Sequence, residues 1–327
     1  MAYQLTKKEM MKEIVKCGKD PVYFIDSYSK ITHPQEGLIP FRLFDYQKDL
    51  LKSYQDHRFN VILKARQLGI STVTASYIVW MMLFHREKNI LVVATKLQVA
   101  ANLVKKVKLA IKSLPDWLRI ADVSIDNRNS FELTNGSLIR ASSTSGDAGR
   151  SEALSLLVVD EAAHVEGMDD LWTALYSTLS TGGRCIALSS PNGVGNWFHK
   201  AYTEAEEAKN DFYPTKLLWD VHPNRDADWY ERETRNMSRR DIAQELECSF
   251  NMSGETVFHG EDIRRILGDV RDPKHKTGFD RNLWIWEEYQ QNASYLLSAD
   301  VARGDSKDYS VYPIIKLETM EIVAEYQ

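Results

Sequence analysis

Cysteine is scarce in this chain. Cys17, Cys185 and Cys248 are odd in number and far apart, which excludes a disulfide framework and a thiolate-rich zinc site and suits a reducing compartment. Long apolar runs are missing as well. The best stretch, Ser76 to Phe84, falls well short of the roughly 18 residues of a membrane span and ends at His85, Arg86 and Glu87, so no membrane crossing is expected. The opening MAYQLTKKEMMKEIVK has no apolar core before a small-residue cleavage site, so secretion is not expected either. Nor is there an excess of positive charge: the formal net charge is −5, and nucleic acid would have to be met by a local basic face. Lys105, Lys106, Lys108 and Lys112, close together on one expected helix, could form such a face or simply a solvated helix surface.

The chain has 327 residues, 43% hydrophobic and 27% charged, which suits a soluble protein of two domains or of one large domain with an appendage. Thr6 and Glu9 have capping-box spacing before an amphipathic helix, and Asp20-Pro21 opens a second. A polar loop is expected from Thr32 to Gly37, followed by a helix that places Tyr46, Leu50, Leu51 and Tyr54 on one face. From there strands and helices alternate. Phe59 to Leu63, Asn89 to Ala94, Leu154 to Val159 and Cys185 to Ser189 are apolar runs of buried-strand type, with helices over Ser71 to Phe84 and Gln98 to Ser113. Asn135-Gly136 marks a hairpin within Ser130 to Ala141. The pattern predicts an α/β fold with a mostly parallel sheet flanked by helices. Near Ser253-Gly254 the pattern turns polar and glycine-rich, as in a linker with one short helix (Glu261 to Leu267), before three further strands over Ser294 to Ala299, Ser310 to Leu317 and Glu321 to Tyr326. The chain stops at Gln327, too soon after these strands for a large independent core.

One loop raises a chemical question. Laid on the phosphate-binding pattern G-x-x-x-x-G-K-[ST], the stretch KARQLGIST (Lys64, Ala65, Arg66, Gln67, Leu68, Gly69, Ile70, Ser71, Thr72) keeps the second glycine as Gly69 and the metal-binding hydroxyl as Ser71. It has Ile70 where the lysine belongs and Lys64 where the first glycine belongs. Either the stretch is not a nucleotide site or its charge has moved to Lys64, with Arg66 as the competing cation. Further along, LSLLVVDEA is an apolar strand ending in Asp160-Glu161, a Walker B pattern in which the first carboxylate orders Mg²⁺ and the second polarises the attacking water. An acidic helix cap is the bland alternative for that pair. The loop and the acidic pair in this order point to an ATPase.

The succession PFRLFDYQ, KARQLGIST, DAGRSEALSLLVVDEAA, ALSSPNGVGNWFHK and SADVARGDSKDYSV resembles the large terminase subunit of tailed bacteriophages, from about Phe41 to about Val311. The resemblance implies a P-loop NTPase domain of the ASCE type followed by the first strands of an RNase H-like nuclease domain. Its boundaries would be an N-terminal helical segment (1–40), the ATPase domain (41–253), a linker (254–293) and the start of the nuclease (294–327). Tyr46 and Gln47 would be the adenine-recognition Q motif, and residues 64 to 72 a deviant Walker A with its lysine first. Ser189, Ser190 and Pro191 would be the coupling motif, and Arg150 the arginine that reaches a neighbouring subunit's nucleotide. Glu161, Lys64, Arg66 and Arg150 are thus the catalytic candidates, with Ser71 and Asp160 on the Mg²⁺ of ATP. Asp300 and Asp308, and less so Asp305, are candidate ligands of a nuclease Mg²⁺ or Mn²⁺ whose remaining ligands would lie elsewhere, so this chain is expected to cleave DNA poorly.

The same resemblance implies double-stranded DNA, a portal and procapsid, the small terminase subunit and a homo-oligomeric ring as partners. It places the protein in the host cytoplasm and transiently on the procapsid. Two other readings stand beside it: a superfamily 2-like helicase or translocase, and a non-catalytic DNA- or capsid-binding scaffold whose phosphate loop has decayed.

Overall fold

The computed structural model describes residues 5–33, 35–142, 152–253, 268, 270–302 and 310–326. The chain forms two units, Met1–Val257 and Phe258–Gln327. In the first, α1 (Lys7–Lys19) carries the expected capping box: Thr6 Oγ1 accepts from the Glu9 amide, and the Glu9 carboxylate accepts from the Thr6 amide. Asp20 caps α2 (Pro21–Tyr28). The expected polar loop is instead a short hairpin, β1 (Lys30–His33) with β2 (Gly37–Pro40), ahead of α3 (Asp45–Asp56). Cys17, Phe24 and Ile25 are buried in the same core as the central sheet, so residues 1–40 are part of this unit and not a separate segment.

The central elements follow in order: β3 (Phe59–Lys64), α4 (Ile70–Phe84), β4 (Asn89–Val93), α5 (Leu97–Ser113), β5 (Val123–Asn127), β6 (Ser130–Leu133), β7 (Leu138–Ser142), β8 (Leu156–Asp160), α6 (Met168–Tyr176), β9 (Arg184–Ser189), α7 (Trp197–Glu206), β10 (Phe212–Leu217), α8 (Ala227–Thr234), α9 (Arg239–Glu245) and α10 (Phe250–Ser253). Eight strands join in the order β10-β3-β9-β8-β4-β7-β6-β5. From β10 to β7 every pairing is parallel, and the hairpin around Asn135-Gly136 adds an antiparallel edge. Every residue of β3 and β8 is buried, which is why these strands read as unbroken apolar runs and not as alternating ones. Helix α4 is buried nearly all round, between the sheet and the helices α2, α3 and α5.

The register sets the site. Leu63 on β3 lies opposite Ser189 on β9, and Leu188 on β9 lies opposite Asp160 on β8. The carboxyl ends of three adjacent strands therefore bring Lys64, Ser189 and Asp160 to one edge of the sheet, where parallel α/β folds open their ligand crevices. Two strand spacings, about 10 Å, separate β3 from β8. A lysine on one and a glutamate following the other can bridge that gap.

The second unit is an antiparallel sheet of five strands in the order β11-β12-β15-β14-β13: β11 (His275–Thr277), β12 (Leu283–Ile285), β13 (Tyr295–Leu297), β14 (Tyr312–Lys316) and β15 (Glu321–Tyr326). The expected linker over 254–293 is thus corrected, because β11 and β12 belong to this sheet. They are three residues each and largely exposed, too short and too polar to show a strand period. The short helix expected over Glu261 to Leu267 lies outside the described residues.

Candidate functional site

Strand β3 ends at Lys64 and the chain turns through residues 65–69 into α4. Two left-handed residues shape the turn, Gln67 with φ 57° and Gly69 with φ 75°. A Cβ at Gly69 would meet Gln47 Nε2 at 3.0 Å, so both backbone and space demand glycine there. Helix α4 has no acidic residue in its first turn, leaving its amide-rich, dipole-positive end open to an anion. Ile70, at the position where a phosphate loop usually has its lysine, is 1% exposed and packed in the core.

The charge enters from the other end of the loop. Lys64 is 8% exposed, and its Nζ lies 3.2 Å from Oε1 of Glu161. Arg66 turns elsewhere, to Glu233 on α8 at 3.5 Å, while its amide donates to the Glu245 carbonyl at 2.8 Å. Ser71 Oγ faces Asp160 Oδ1 at 3.4 Å, and the same carboxylate oxygen accepts from the Glu161 amide at 3.1 Å. Burial pushes the Asp160 carboxyl above the usual carboxylate range. The neighbouring Glu161 charge adds to that push, against the pull of Lys64 and Lys106. Glu161 itself adopts φ 54°, a left-handed conformation that costs a non-glycine residue about 1–3 kcal/mol and is characteristic of functional positions.

Lys64, Arg66, Ser71 and Glu161 line a cleft of about 760 Å³, with Asp160 buried beside Ser71. Of the expected nucleotide-binding residues, Lys64, Arg66, Gln67, Leu68, Gly69, Ile70, Ser71 and Thr72 line it, with Glu161 and Ser190. Ala65 is buried beneath the loop, where its amide donates to the Leu217 carbonyl of β10. Tyr46 and Gln47 brace the loop from behind: the Tyr46 hydroxyl and the Gln47 amide both donate to the Leu68 carbonyl, at 2.9 and 3.0 Å. Gln47 Oε1 also accepts from the Phe44 amide.

Ser189, Ser190 and Pro191 are buried at the end of β9. Ser189 Oγ accepts from the Ala163 amide, just after the acidic pair, and Asn192 donates to the Ala163 carbonyl. The Gly193 amide donates to Ser253 Oγ, while Arg240 donates to the Ser253 carbonyl. The strand end is thus tied both to the acidic turn and to α9 and α10. Arg150, Asp305 and Asp308 lie outside the described residues. Glu152 pairs with Arg140 at 2.8 Å. Asp300 is exposed and bridges Val311 through its backbone.

Several residues of the site were not picked out from sequence. Arg225 donates to the carbonyls of Arg66 and Gln67 at 3.2 and 3.0 Å and covers the Trp229 ring. Glu233 anchors Arg66. His164 and Glu245 join the cleft wall. No local pattern marks these four: Arg225, Glu233 and Glu245 reach the loop by tertiary contacts, and His164 lines the cleft from the turn after the acidic pair. The four-lysine face also comes apart. Lys108 and Lys112 pair with Asp126 at 2.9 and 2.8 Å, whereas Lys106 lines the cleft. A signal for Lys106 did exist: Leu103, Val107 and Ala110 form the buried stripe of α5, and position 106 falls on its i, i+3, i+4, i+7 repeat.

The strand order, loop and acidic pair define a P-loop NTPase fold of the ASCE type, a parallel sheet flanked by helices with its phosphate loop between β3 and α4. A family model for the N-terminal part of T4likevirus-type large terminase subunits matches residues 61–265, more than half of the chain. The chain belongs to the large terminase subunit family. It is 27% identical over 191 residues to the terminase large subunit of Thermus virus P23-45, an alignment that takes in 53% of this chain and 36% of that protein. The chain thus spans about a third of the length of this curated relative. Among solved structures, the large terminase ATPase domain of Thermus phage P74-26 superposes with a TM-score of 0.55 at 19% identity, covering 64% of this chain and 94% of that one. A large terminase from a thermophilic bacteriophage, solved in complex with ADP, gives 0.53 at 14% identity, covering 84% and 65%.

Proposed function

We propose that this chain is the ATP-hydrolysing motor part of a phage DNA-packaging terminase, which drives double-stranded DNA into a procapsid. The observation that carries the reading is the meeting of Lys64 and Glu161 at 3.2 Å beside Ser71 and Asp160 at 3.4 Å, from three separate elements. A decayed phosphate loop has no reason to keep charge, hydroxyl and acidic pair in register.

Each residue has a role that its geometry supports. The amides at the start of α4 surround phosphate oxygens, and Lys64 neutralises the terminal phosphate. Lys64 is paired with Glu161, so a phosphate entering the cleft competes for the ammonium. Glu161 is then released from the ammonium and is free to polarise the attacking water. Arg66 is the strut that links the loop to α8.

The donor set suits magnesium, which takes only one or two protein oxygens alongside phosphates and water, and Ser71 Oγ with the Asp160 carboxylate supplies that number. When bound with the nucleotide, magnesium offsets the charge that develops on the β- and γ-phosphates. Tyr46 and Gln47 hold the Leu68 carbonyl from behind the loop, so any role in reading the nucleotide base would act through that carbonyl. Ser189 to Pro191, hydrogen-bonded to the acidic turn on one side and linked to Ser253 on the other, report hydrolysis to α9 and α10.

Arg150 acts across a subunit boundary in a ring assembled on the portal, with the small subunit supplying DNA. The thermophilic phage's large terminase in complex with ADP supports the choice of nucleotide. The C-terminal unit we read as the opening strands of an RNase H-like nuclease with Asp300 as a ligand. Among the described residues no three His, Cys, Asp or Glu side chains are grouped to hold a metal, so no cleavage step is assigned to it.

The test is ATP hydrolysis, with and without double-stranded DNA, for the wild type and the Lys64→Ala, Arg66→Ala and Glu161→Ala variants. DNA should stimulate the wild type without strand separation. Glu161→Ala should lower kcat about a thousandfold, with Lys64→Ala next and Arg66→Ala mildest. Wild-type rates in Lys64→Ala would move the phosphate role to Arg66.

A further inference from the structure

Ile70 leaves the phosphate loop without the cation that the pattern places just before Ser71, and Lys64 is engaged with Glu161. With Lys64 as the cleft's sole ammonium and Arg66 turned to Glu233, a triphosphate would face one lysine against the carboxylates of Glu161 and Glu245, with Asp160 beside Ser71.

A second ammonium is present. Lys106 comes from α5, which packs against α4. Lys106 is exposed overall, lines the cleft, and places its Nζ 3.3 Å from Oγ1 of Thr72, in the first turn of α4. The cleft walls lower its proton affinity by desolvation. Asp160 counters this and Lys64 adds to it, which places the ammonium within electrostatic reach of both. Lys108 and Lys112, from the same helix, are committed to Asp126. Lys106 instead donates to a hydroxyl, a partner that a phosphate oxygen readily displaces, since charge-assisted hydrogen bonds are the stronger ones.

We infer that Lys106 is a second phosphate-binding cation of the nucleotide site, supplying from α5 the charge that Ile70 removed from the loop and holding the phosphates that do not react. Thr72 lies one residue past the metal-binding hydroxyl, and Lys106 meets it while Lys64 meets Glu161, so the two ammoniums have different partners and Lys106 is the one left for the non-reacting phosphates. A cation there grips substrate and transition state equally, and its removal should raise KM with kcat little changed. ADP should feel the loss as ATP does.

The inference rests on the ATPase reading, and the experiment separates the two. Binding of magnesium-ADP to the full chain is measured by calorimetry for the wild type, Lys106→Ala, Lys106→Arg and Lys64→Ala, together with KM and kcat for ATP and affinity for double-stranded DNA. Lys106→Ala should weaken ADP binding and raise the ATP KM about ten- to a hundredfold, with kcat within about threefold and an unchanged melting temperature. Lys106→Arg should recover most of the affinity. ADP affinity unchanged in Lys106→Ala but reduced in Lys64→Ala overturns the inference and leaves the ATPase reading standing. Loss of DNA affinity with ADP binding intact overturns it too, and returns Lys106 to a basic face. If the wild type binds neither ADP nor ATP, both readings fall together.

Discussion

Asp160 and Asp300 each close an apolar strand, yet they end in opposite surroundings. Strand β8 is buried along its whole length, and Asp160 at its end is 7% exposed, held by the Ser71 hydroxyl and the Glu161 amide. Strand β13 lies in a sheet whose residues are mostly partly or fully exposed. Asp300 beyond it is exposed as well and is fixed by backbone hydrogen bonds to Val311. An apolar strand ending in aspartate is therefore not enough to make a site. What differs is the number of neighbouring strand ends that converge on the carboxylate, and the burial that makes each charge there count.

The largest test of this contrast is catalytic. Asp160→Asn should lower kcat for ATP about a hundredfold or more, because on the proposed reading it weakens the group that orders the metal; a rate near that of the wild type would make Asp160 as idle as an exposed carboxylate. Next comes Gly69→Ala, which forces a side chain into left-handed backbone against the Gln47 amide. It should destabilise the chain by about 1–3 kcal/mol and weaken ADP binding, as read by chemical denaturation and calorimetry.

Stability should then split the two aspartates. Burial and Glu161 disfavour ionised Asp160, so Asp160→Asn should stabilise the chain by about 1 kcal/mol when measured without nucleotide or metal. Asp300→Asn should fall within about 0.5 kcal/mol of the wild type. Equal effects would erase the contrast.

The smallest effect is a pH dependence. Desolvation lowers the proton affinity of His199, whose Nδ1 accepts from the Gly195 amide and whose ring meets Phe250 edge-on. The folded chain then binds fewer protons there than the unfolded one. Its contribution to stability is full above the ordinary histidine range and is lost as pH falls through it, near 6.5 and below, a value of about that size holding for free histidine. His199→Gln, which keeps an acceptor and does not titrate, should flatten the denaturation midpoint between pH 7 and pH 5.

Much of the fold was legible because its signals are local. Strands β3, β4, β8 and β9 are runs of buried residues, and the Asn135-Gly136 turn carries its own backbone preference with Gly136 at φ 80°. Strand β10 was missed because it is an edge strand with mixed burial and contains Pro214, which an edge tolerates and a central strand does not. Strand β5 is exposed along its whole length and offers no period to read. In the site, Gly69, Ser71, Asp160 and Glu161 could be named from spacing. The partners of the cations could not, because long flexible side chains choose among charges that only the folded sheet brings near.

Sequence alone determined that a strand, a glycine turn and a helix form a phosphate loop, and that an apolar strand ends in an acidic pair, since each is a property of contiguous residues. Tertiary structure decided where the positive charge goes. Lys64 meets Glu161 across 97 positions of sequence, Arg66 is drawn off to Glu233, and Lys106 crosses 34 positions to reach Thr72. The reason is physical: Ile70 is committed to the core, and long flexible side chains settle on whichever partners the neighbouring elements of the folded sheet bring within reach.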